Sequence, residues 1–305
     1  MGAASDATAA AQADPVREDA AYARGEALVS TAWLHERITA PDIRVVDASW
    51  YLPQSGRNAR ADYAAGHIPG AVFFDIDEIA DKASPFPHML PAPEKFASRM
   101  RRLGLGDGNR IIVYDGGEAL MSAARVWWMF RVFGHRDVAV LNGGLRRWQA
   151  EGRPLEDLPP MPRERHFTAR LDTTLVRDLA QMQANLASGR AQVVDARSPG
   201  RFQGAEPEPR PGLKGGHIPG SRNLPFGDLT GPDGGLLEPQ ALRRRFTAAG
   251  IDLARPVVAT CGSGVSACVL ALGLHLLGHP DSAVYDGSWA EWGAGADTPI
   301  EQGAC

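Results

Sequence analysis

The chain has 305 residues, a hydrophobic fraction of 44% and a formal net charge of -4, which is typical of a globular protein with one large domain or two smaller ones. Acidic residues interleave with the arginines and leave no basic run, so we expect no nucleic-acid partner. No apolar stretch approaches the roughly 20 residues that a membrane-spanning helix needs, so we expect no membrane attachment.

The N-terminal residues 1–28 are rich in alanine and carry acidic side chains, with neither a basic start nor an apolar middle. They do not resemble a secretory signal, and we expect a disordered tail. The three cysteines, Cys261, Cys268 and Cys305, have no paired spacing, which argues against a disulfide framework or a zinc cluster. Reduced cysteines fit a cytoplasmic location.

The remainder of the chain contains an internal repeat. "GHIPGAVFF" at 66–74 returns as "GHIPGSRNL" at 216–224, an offset of 150. "RIIVYDGG" at 110–117 likewise matches "PVVATCGS" at 256–263. Because the offsets of such pairs drift only between 150 and 144, the sequence predicts a duplicated domain with small insertions.

Within each copy, short β-branched runs alternate with longer segments of helical period. "IRVV", "RIIVY" and "VVAT" are predicted strands, and "PEKFASRMRRLG" and "SAARVWWMFRVFG" are predicted helices. This alternation predicts an α/β fold, in which each copy has a parallel sheet with helices on both faces. We expect one domain at 29–150 and a second at 174–305, joined by a linker at 151–173 that is rich in proline and charge.

The duplication separates residues of the shared fold from candidates for chemistry. His67 and His217 occupy equivalent positions in the two copies, so both are predicted to be structural. Cys261 occurs in only one copy, and its counterpart in the other is Asp115. Cys261 is therefore the first candidate for a catalytic residue.

Cys261 stands in "ATCGSGVSACVLALGLHLLG" at 259–278, between a predicted strand and an apolar helix. Open α/β sheets bind ligands at this end of a strand. Gly262 and Gly264 let the loop fold tightly, so we expect backbone N–H groups to converge on the sulfur at a helix N-terminus and stabilise a thiolate. The alternative is a buried inert cysteine, the role predicted for Cys268.

Phosphoryl transfer is disfavoured by the same loop. Cysteine phosphatases place an arginine six positions after the cysteine, where it holds the phosphoryl group. Ala267 stands there in this chain. Without the guanidinium, a phosphate dianion loses its chief charge partner.

The duplicated pattern that leads to "CGSGVSA" resembles the two-domain rhodanese family, and within it the 3-mercaptopyruvate sulfurtransferases. The likeness extends from about residue 28 to 300, and its most specific stretches are "DASWYLP" (47–53), "HIPGAVFFDID" (67–77), "SPFPHMLP" (84–91), "EPEPRPG" (206–212) and "YDGSWAEW" (285–292). One departure is Ser266, where the family usually has threonine. Both residues carry a hydroxyl, so we expect little consequence.

The resemblance implies a reaction without metal or organic cofactor. Cys261 would take sulfur from 3-mercaptopyruvate as a persulfide, release pyruvate, and pass the sulfur to cyanide or to a thiol acceptor such as a thioredoxin-like protein. Arg201 and Arg210 match family positions that bind substrate, and Gly262, Gly264, Val265 and Ser266 form the loop that the resemblance also places at the substrate. Catalytic Ser263, His88 and Asp77 match a Ser-His-Asp relay proposed for the family.

Two alternatives remain open. Thiosulfate-using relatives carry bulky cations directly after the cysteine, whereas this chain has Gly262 and Ser263. An ion pair at about 4 Å and intermediate dielectric is worth about 4 kcal/mol before desolvation, so their absence disfavours thiosulfate, a dianion, as donor. The alternatives are thus a thiosulfate sulfurtransferase (rhodanese) and a noncatalytic sulfur-relay binding module.

Overall fold

The computed structural model describes residues 21–304 and contains two parallel five-stranded sheets. The strands of the first sheet are β1 Leu28–Val29, β2 Ile43–Asp47, β3 Val72–Phe73, β4 Arg110–Tyr114 and β5 Val138–Leu141, in the spatial order β1-β5-β4-β2-β3. Its helices are α1 Thr31–Arg37, α2 Ala59–Ala65, α3 Ile76–Ile79, α4 Pro93–Arg102, α5 Met121–Val132 and α6 Gly144–Ala150, with 3₁₀ turns at Gly25–Ala27 and Pro53–Ser55.

The second sheet repeats the first. Its strands are β6 Val176–Arg177, β7 Gln192–Asp195, β8 Arg222–Asn223, β9 Val257–Thr260 and β10 Ser282–Tyr285, in the order β6-β10-β9-β7-β8. Its helices are α7 Leu179–Ser188, α8 Pro199–Gln203, α9 Pro239–Ala248, α10 Ala267–Leu276 and α11 Ser288–Trp292, with 3₁₀ turns at Thr173–Leu175 and Phe226–Leu229. The two orders correspond strand for strand, which confirms the predicted α/β fold.

Burial explains why the central strands are apolar along their whole length. β4 is buried at four of its five residues and β9 at all four, because helices cover both faces of each parallel sheet. α4 begins with Pro93 at its first turn, where no intrahelical N–H is lost, and it buries Phe96 and Met100 on one side.

The two domains share a core. α5 packs against α10, and one hydrophobic cluster contains residues of both helices. Both helices are apolar on nearly every side because each lies between its own sheet and the other domain. The loops at the end of β9 and around residue 88 are thus brought into one interface, although 175 positions separate the residues that meet there.

The equivalent histidines have equivalent surroundings. His67 Nδ1 hydrogen-bonds the Tyr63 carbonyl, and His217 Nδ1 hydrogen-bonds the Phe202 carbonyl, both at 2.8 Å. Each imidazole stacks on the ring of that same partner, with centroids 4.0 Å apart in the first domain and 3.8 Å in the second. The repetition supports the structural role predicted for both histidines.

The N-terminal prediction needs a correction. Residues 1–20 of the expected tail lie outside the described residues, but residues 21–28 pack on the domains. Tyr22 Oη donates to the Leu237 carbonyl at 2.7 Å, Arg24 N donates to the Leu276 carbonyl at 3.3 Å, and Ala27 is buried. Disorder through residue 28 is therefore wrong for 21–28, because Tyr22 and Arg24 bond to the second domain and Leu28 pairs with Val140 in the first sheet.

The predicted linker at 151–173 is held along much of its length by the first domain. Glu156 and His67 exchange both backbone hydrogen bonds at 2.9 Å, and Phe167 is buried. Leu158 and Met161 between them are exposed.

Within residues 21–304, no helix is both long and apolar enough to cross a bilayer. In the same part of the chain, His, Cys, Asp and Glu side chains form no group of three or more that could hold a metal ion.

Candidate active site

Cys261 is the first residue after β9, at the carboxyl end of a central strand, as the sequence predicts. Its N–H donates to Ser288 Oγ at 3.2 Å, and its carbonyl accepts from Trp289 N at 2.9 Å. These bonds fix the start of the loop to α11. Cys261 is 1% exposed, which keeps bulk water away from the sulfur.

Gly264 is required by its backbone conformation and by a close backbone contact, whereas Gly262 leaves room for an arginine side chain. Gly264 has φ +73°, and a Cβ there would lie 2.6 Å from the Asp286 carbonyl oxygen. A Cβ on Gly262 would lie 2.9 Å from Arg201 Nη2. Small residues at these positions therefore let Asp286 and Arg201 approach the loop.

The expected hydrogen bonds from backbone amides to the sulfur are not observed. Within residues 21–304, no group donates a hydrogen bond to Cys261 Sγ, so this prediction is wrong for Sγ itself. In the same residues, the N–H groups of 262–266 also donate to no acceptor. The reason is that these residues precede α10, whose intrahelical bonds use only later amides. Five unused donors thus follow directly after the cysteine.

The predicted serine, histidine and aspartate come together across the domain interface. His88 Nδ1 lies 3.0 Å from Ser263 Oγ, and His88 Nε2 lies 3.1 Å from Asp77 Oδ1. We call these three residues the relay. Ser263 belongs to the cysteine loop, whereas His88 and Asp77 belong to the first domain. The geometry permits a proton to pass between Ser263 and His88 while Asp77 orients the imidazole.

Trp50, which the sequence analysis did not single out, completes the surroundings of the relay. Its Nε1 donates to Asp77 Oδ2 at 2.9 Å, and its ring meets the His88 imidazole edge-on at 4.9 Å. Partial burial works against ionisation of Asp77, but its bonds to His88 and Trp50 outweigh burial and lower the pKa of the carboxyl from its ordinary value. Asp77 therefore stays an acceptor for the imidazole N–H.

Arg201 and Arg210 both lie near the cysteine loop. Arg201 Nη2 lies beside Gly262. Burial lowers the pKa of the Arg210 guanidinium from its ordinary value and outweighs the opposing electrostatic effect of Cys261. Arg201 thus lies at the cysteine loop and Arg210 interacts electrostatically with Cys261, while their binding of substrate stays a prediction.

Glu208 pairs with Arg201 and with the buried Arg197, and sequence reasoning missed it. Its carboxylate accepts from Arg201 Nη2 at 2.5 Å and from Arg197 Nη1 at 2.7 Å. Arg197 is fully buried and also pairs with Asp195 Oδ2 at 2.6 Å. Because Glu208 stands between two arginines in "RFQGAEPEPR", the charge pattern was the signal that could have found it.

Two loop residues implied at the substrate differ in what they present. Val265 is 3% exposed and packs in the shared core, so only its main chain is available to a ligand. Ser266 precedes α10 as its N-cap, and its side chain accepts no capping hydrogen bond. Its hydroxyl is therefore not engaged at the helix end.

The equivalent loop of the first domain is filled by its own side chain. Asp115 is buried, and its carboxylate accepts from Ala123 N at 2.8 Å, Ser122 Oγ at 3.0 Å and Gly117 N at 3.2 Å. Burial raises the pKa of Asp115 despite these bonds. The first domain therefore offers a self-satisfied carboxylate where the second has a thiol.

Both halves of the chain match the family model described as the rhodanese-like domain, at residues 30–151 and 178–294. The human 3-mercaptopyruvate sulfurtransferase is 48% identical over 271 residues, which are 87% of this chain and 91% of the human protein. The bovine thiosulfate sulfurtransferase is also 48% identical, over 91% of this chain and 96% of the bovine protein.

Among solved structures, SseA from Escherichia coli, described as a 3-mercaptopyruvate sulfotransferase with the rhodanese fold, superimposes with a TM-score of 0.80 at 40% identity. The match covers 86% of this chain and 98% of SseA. Tum1 from Saccharomyces cerevisiae gives a TM-score of 0.83 at 32% identity, over 90% of this chain and 97% of Tum1.

Proposed function

This chain belongs to the rhodanese-like domain family, and from that premise we propose that it is a sulfurtransferase whose sulfur donor is 3-mercaptopyruvate. The observation that carries the choice of donor is the hydrogen-bonded relay next to Cys261. 3-Mercaptopyruvate brings a thiol whose proton must be moved during transfer, whereas thiosulfate brings none. Proton transfer through the relay is therefore needed only when 3-mercaptopyruvate is the donor.

The Cys261 thiolate forms an S–S bond with the donor sulfur, and the carbon–sulfur bond of the donor breaks. The electron pair of that bond passes to the enolate of pyruvate, while the donor thiol proton is taken through Ser263 Oγ to His88 and returned to the enolate carbon. The products are the Cys261 persulfide and pyruvate.

The unused amides of residues 262–266 support a persulfide at this position. The outer sulfur of a persulfide lies about 2 Å beyond Sγ. Backbone N–H groups that do not reach Sγ are thus donors available to the outer, negatively charged sulfur. Persulfide formation on Cys261 therefore uses donors that the resting thiol leaves free.

Arg201 and Arg210 are assigned to the carboxylate and ketone oxygen of the donor, and Arg201→Ala tests this. We expect kcat/KM for 3-mercaptopyruvate to fall by about tenfold to 100-fold, because one charge-assisted hydrogen bond is lost. Alkylation of Cys261 by iodoacetamide should continue at its original rate. The exposed Arg190→Ala is the matched control, and unchanged kinetics in Arg201→Ala would remove Arg201 from the site.

The choice between donors is tested by initial rates with the purified protein. We expect pyruvate release from 3-mercaptopyruvate to exceed thiocyanate formation from thiosulfate and cyanide by about 10²-fold or more, since Gly262 and Ser263 supply no cation for a dianion. The reverse preference would assign a thiosulfate sulfurtransferase.

The acceptor and the compartment are also proposals. We assign the persulfide sulfur to a thiol acceptor, such as a thioredoxin-like protein, or to cyanide. A cytoplasmic location is supported by cysteine usage, since Cys261 and Cys268 are both free thiols. Cys305 lies outside the described residues.

A further inference from the structure

Arg125 is a buried cation at the centre of the domain interface. It belongs to α5 of the first domain and is 1% exposed. Its Nη1 donates to Asp286 Oδ1 at 2.8 Å and to the Gly264 carbonyl at 3.1 Å, both in the second domain. Its Nη2 donates to the His88 carbonyl at 2.5 Å. One guanidinium thus contacts both loops that supply the relay.

Asp286 completes the contact from the other side. Its Oδ2 accepts from Leu90 N at 2.8 Å, two residues after His88. The His88 backbone has φ +62°, a left-handed conformation that is unfavourable for a residue other than glycine. Arg125 at the His88 carbonyl and Asp286 at the Leu90 amide therefore hold this conformation from both ends.

The duplicated fold supplies an internal comparison for this contact. In the other direction across the interface, Leu236 N of the second domain donates to Asn142 Oδ1 of the first at 2.9 Å. Asn142 and Asp286 occupy equivalent positions in "NGGLRRW" and "DGSWAEW", and Leu236 and Leu90 are related by the local offset. A neutral amide is thus sufficient to hold the loop where no catalysis takes place.

The arginine at position 125 also occurs in only one copy of the repeat. The offset that relates Asp115 to Cys261 places Ala271 opposite Arg125. Ala271 lies in α10, where it packs in the shared core. A residue that serves the shared fold would be expected in both copies, so the buried ion pair is not explained by packing the two domains together.

We propose that Arg125 and Asp286 are positioning residues for sulfur transfer, which set the His88 loop and the cysteine loop in the register that joins Ser263 to His88. The proposal rests on the proposed function, because it assigns the pair a role in that reaction. Within residues 21–304, the hydrogen bonds of Arg125 and Asp286 to the two loops go to backbone atoms and not to the relay side chains, so each residue acts through the backbone that carries the relay.

The charged state of Arg125 is secured by its surroundings. Burial disfavours the guanidinium cation, but Asp286 outweighs burial and raises the pKa of Arg125. Cys268 Sγ and the Trp128 ring also face the guanidinium, with the ring centroid at 4.6 Å.

The test is a mutant cycle between the positioning pair and the relay. The double variant Arg125→Met with Asp286→Asn replaces the ion pair with an apolar side chain and a neutral amide, as the equivalent positions Ala271 and Asn142 have. It keeps an acceptor for Leu90 N and leaves no unpaired buried charge. We expect kcat for 3-mercaptopyruvate to fall about 10²-fold with little change in KM. In a His88→Ala background, the same pair should cost less than about threefold, because residues that act through one another are not additive.

Two further variants keep the cycle interpretable. Arg125→Lys keeps a cation opposite Asp286 but lacks the planar fork, so we expect an intermediate loss of kcat, and this variant replaces the pair if the pair fails to fold. Arg131→Met, on the same helix, is the matched control and should change kcat by less than about threefold. An unchanged kcat in the pair, or an equal cost with and without His88, would overturn the proposal.

A second measurement works without turnover. The ¹⁵N shifts of the His88 imidazole report its hydrogen bonds, and they should change in the Arg125/Asp286 pair but not in Arg131→Met. If the parent protein releases no pyruvate, the proposed function fails, and unchanged His88 shifts would then overturn the positioning role as well. If the parent protein is active but the pair lowers kcat equally with and without His88, only the positioning role is overturned.

Discussion

Cys261→Ser is expected to abolish sulfur transfer from every donor, a loss of at least about 10³-fold in kcat. A serine hydroxyl is not ionised near neutral pH and forms no persulfide, so no sulfur can be held between donor and acceptor. The substitution changes one buried atom at the end of β9 and leaves the backbone contacts of residue 261 with Ser288 and Trp289 intact. Pyruvate release and thermal melting measure the two effects separately.

Cys268→Ser is the matched control for this substitution. Cys268 Sγ donates to the Gly264 carbonyl at 3.2 Å, a bond that a serine hydroxyl can also make. Burial raises the pKa of the Cys268 thiol, so it stays protonated and unreactive. Turnover that persists in Cys261→Ser would contradict the catalytic role of Cys261, and partner binding without turnover in the parent protein would favour the noncatalytic binding module.

His88→Ala is expected to lower kcat for 3-mercaptopyruvate by about 10²-fold to 10³-fold, the range typical of a lost proton-transfer group. KM should change little, because the arginines and not His88 are assigned to the donor oxygens. The loss should be confined to the thiol donor, since a donor without a thiol proton does not need the relay. Parallel kinetics with 3-mercaptopyruvate and thiosulfate measure this difference.

His35→Ala is the matched control for His88→Ala. His35 is an exposed histidine of α1, and its ring contacts only the edge of Trp148 among the aromatic side chains of residues 21–304. We expect the kinetics of His35→Ala to equal those of the parent. An equal fall of both donor reactions in His88→Ala would show that His88 supports the loop without moving the proton.

The fold could be predicted from the sequence because duplication doubles the information. "RIIVY" and "VVAT" are each too short to predict a strand firmly, but their equivalent places in the repeat support the same prediction for both. Both are central buried strands. The N-terminal boundary could not be predicted in the same way. Tyr22 and Arg24 form hydrogen bonds with residues more than 200 positions away. Local composition cannot predict such long-range bonds.

The candidate site was only partly visible in the sequence. Cys261 could be predicted because the equivalent residue of the first copy is Asp115. The relay residues were predicted only from the resemblance to the rhodanese family. Arg125 was missed because an arginine inside "SAARVWWMFRVFG" looks like the polar side of a surface helix, whereas α5 is enclosed by the second domain. Arg125 occurs in one copy of the repeat only, as Cys261 does, and this asymmetry was a signal in the sequence that could have identified it.

The amide prediction failed for a geometric reason. Glycines in a loop before a helix predict convergent N–H groups, but they do not fix the atom on which those groups converge. No described residue from 21 to 304 donates to Cys261 Sγ, and the donors of 262–266 are unused. The prediction now depends on the second sulfur atom that catalysis would add.

The mass of the Cys261 peptide after exposure to 3-mercaptopyruvate, without acceptor, tests this dependence most directly. We expect one added sulfur atom on that peptide, no change on the Cys268 peptide, and about one pyruvate released for each modified chain. A Cys261 peptide that stays unmodified would contradict the persulfide, whether or not pyruvate is released. Because Cys261 is 1% exposed, an unmodified peptide is also the result expected if the donor cannot reach the sulfur.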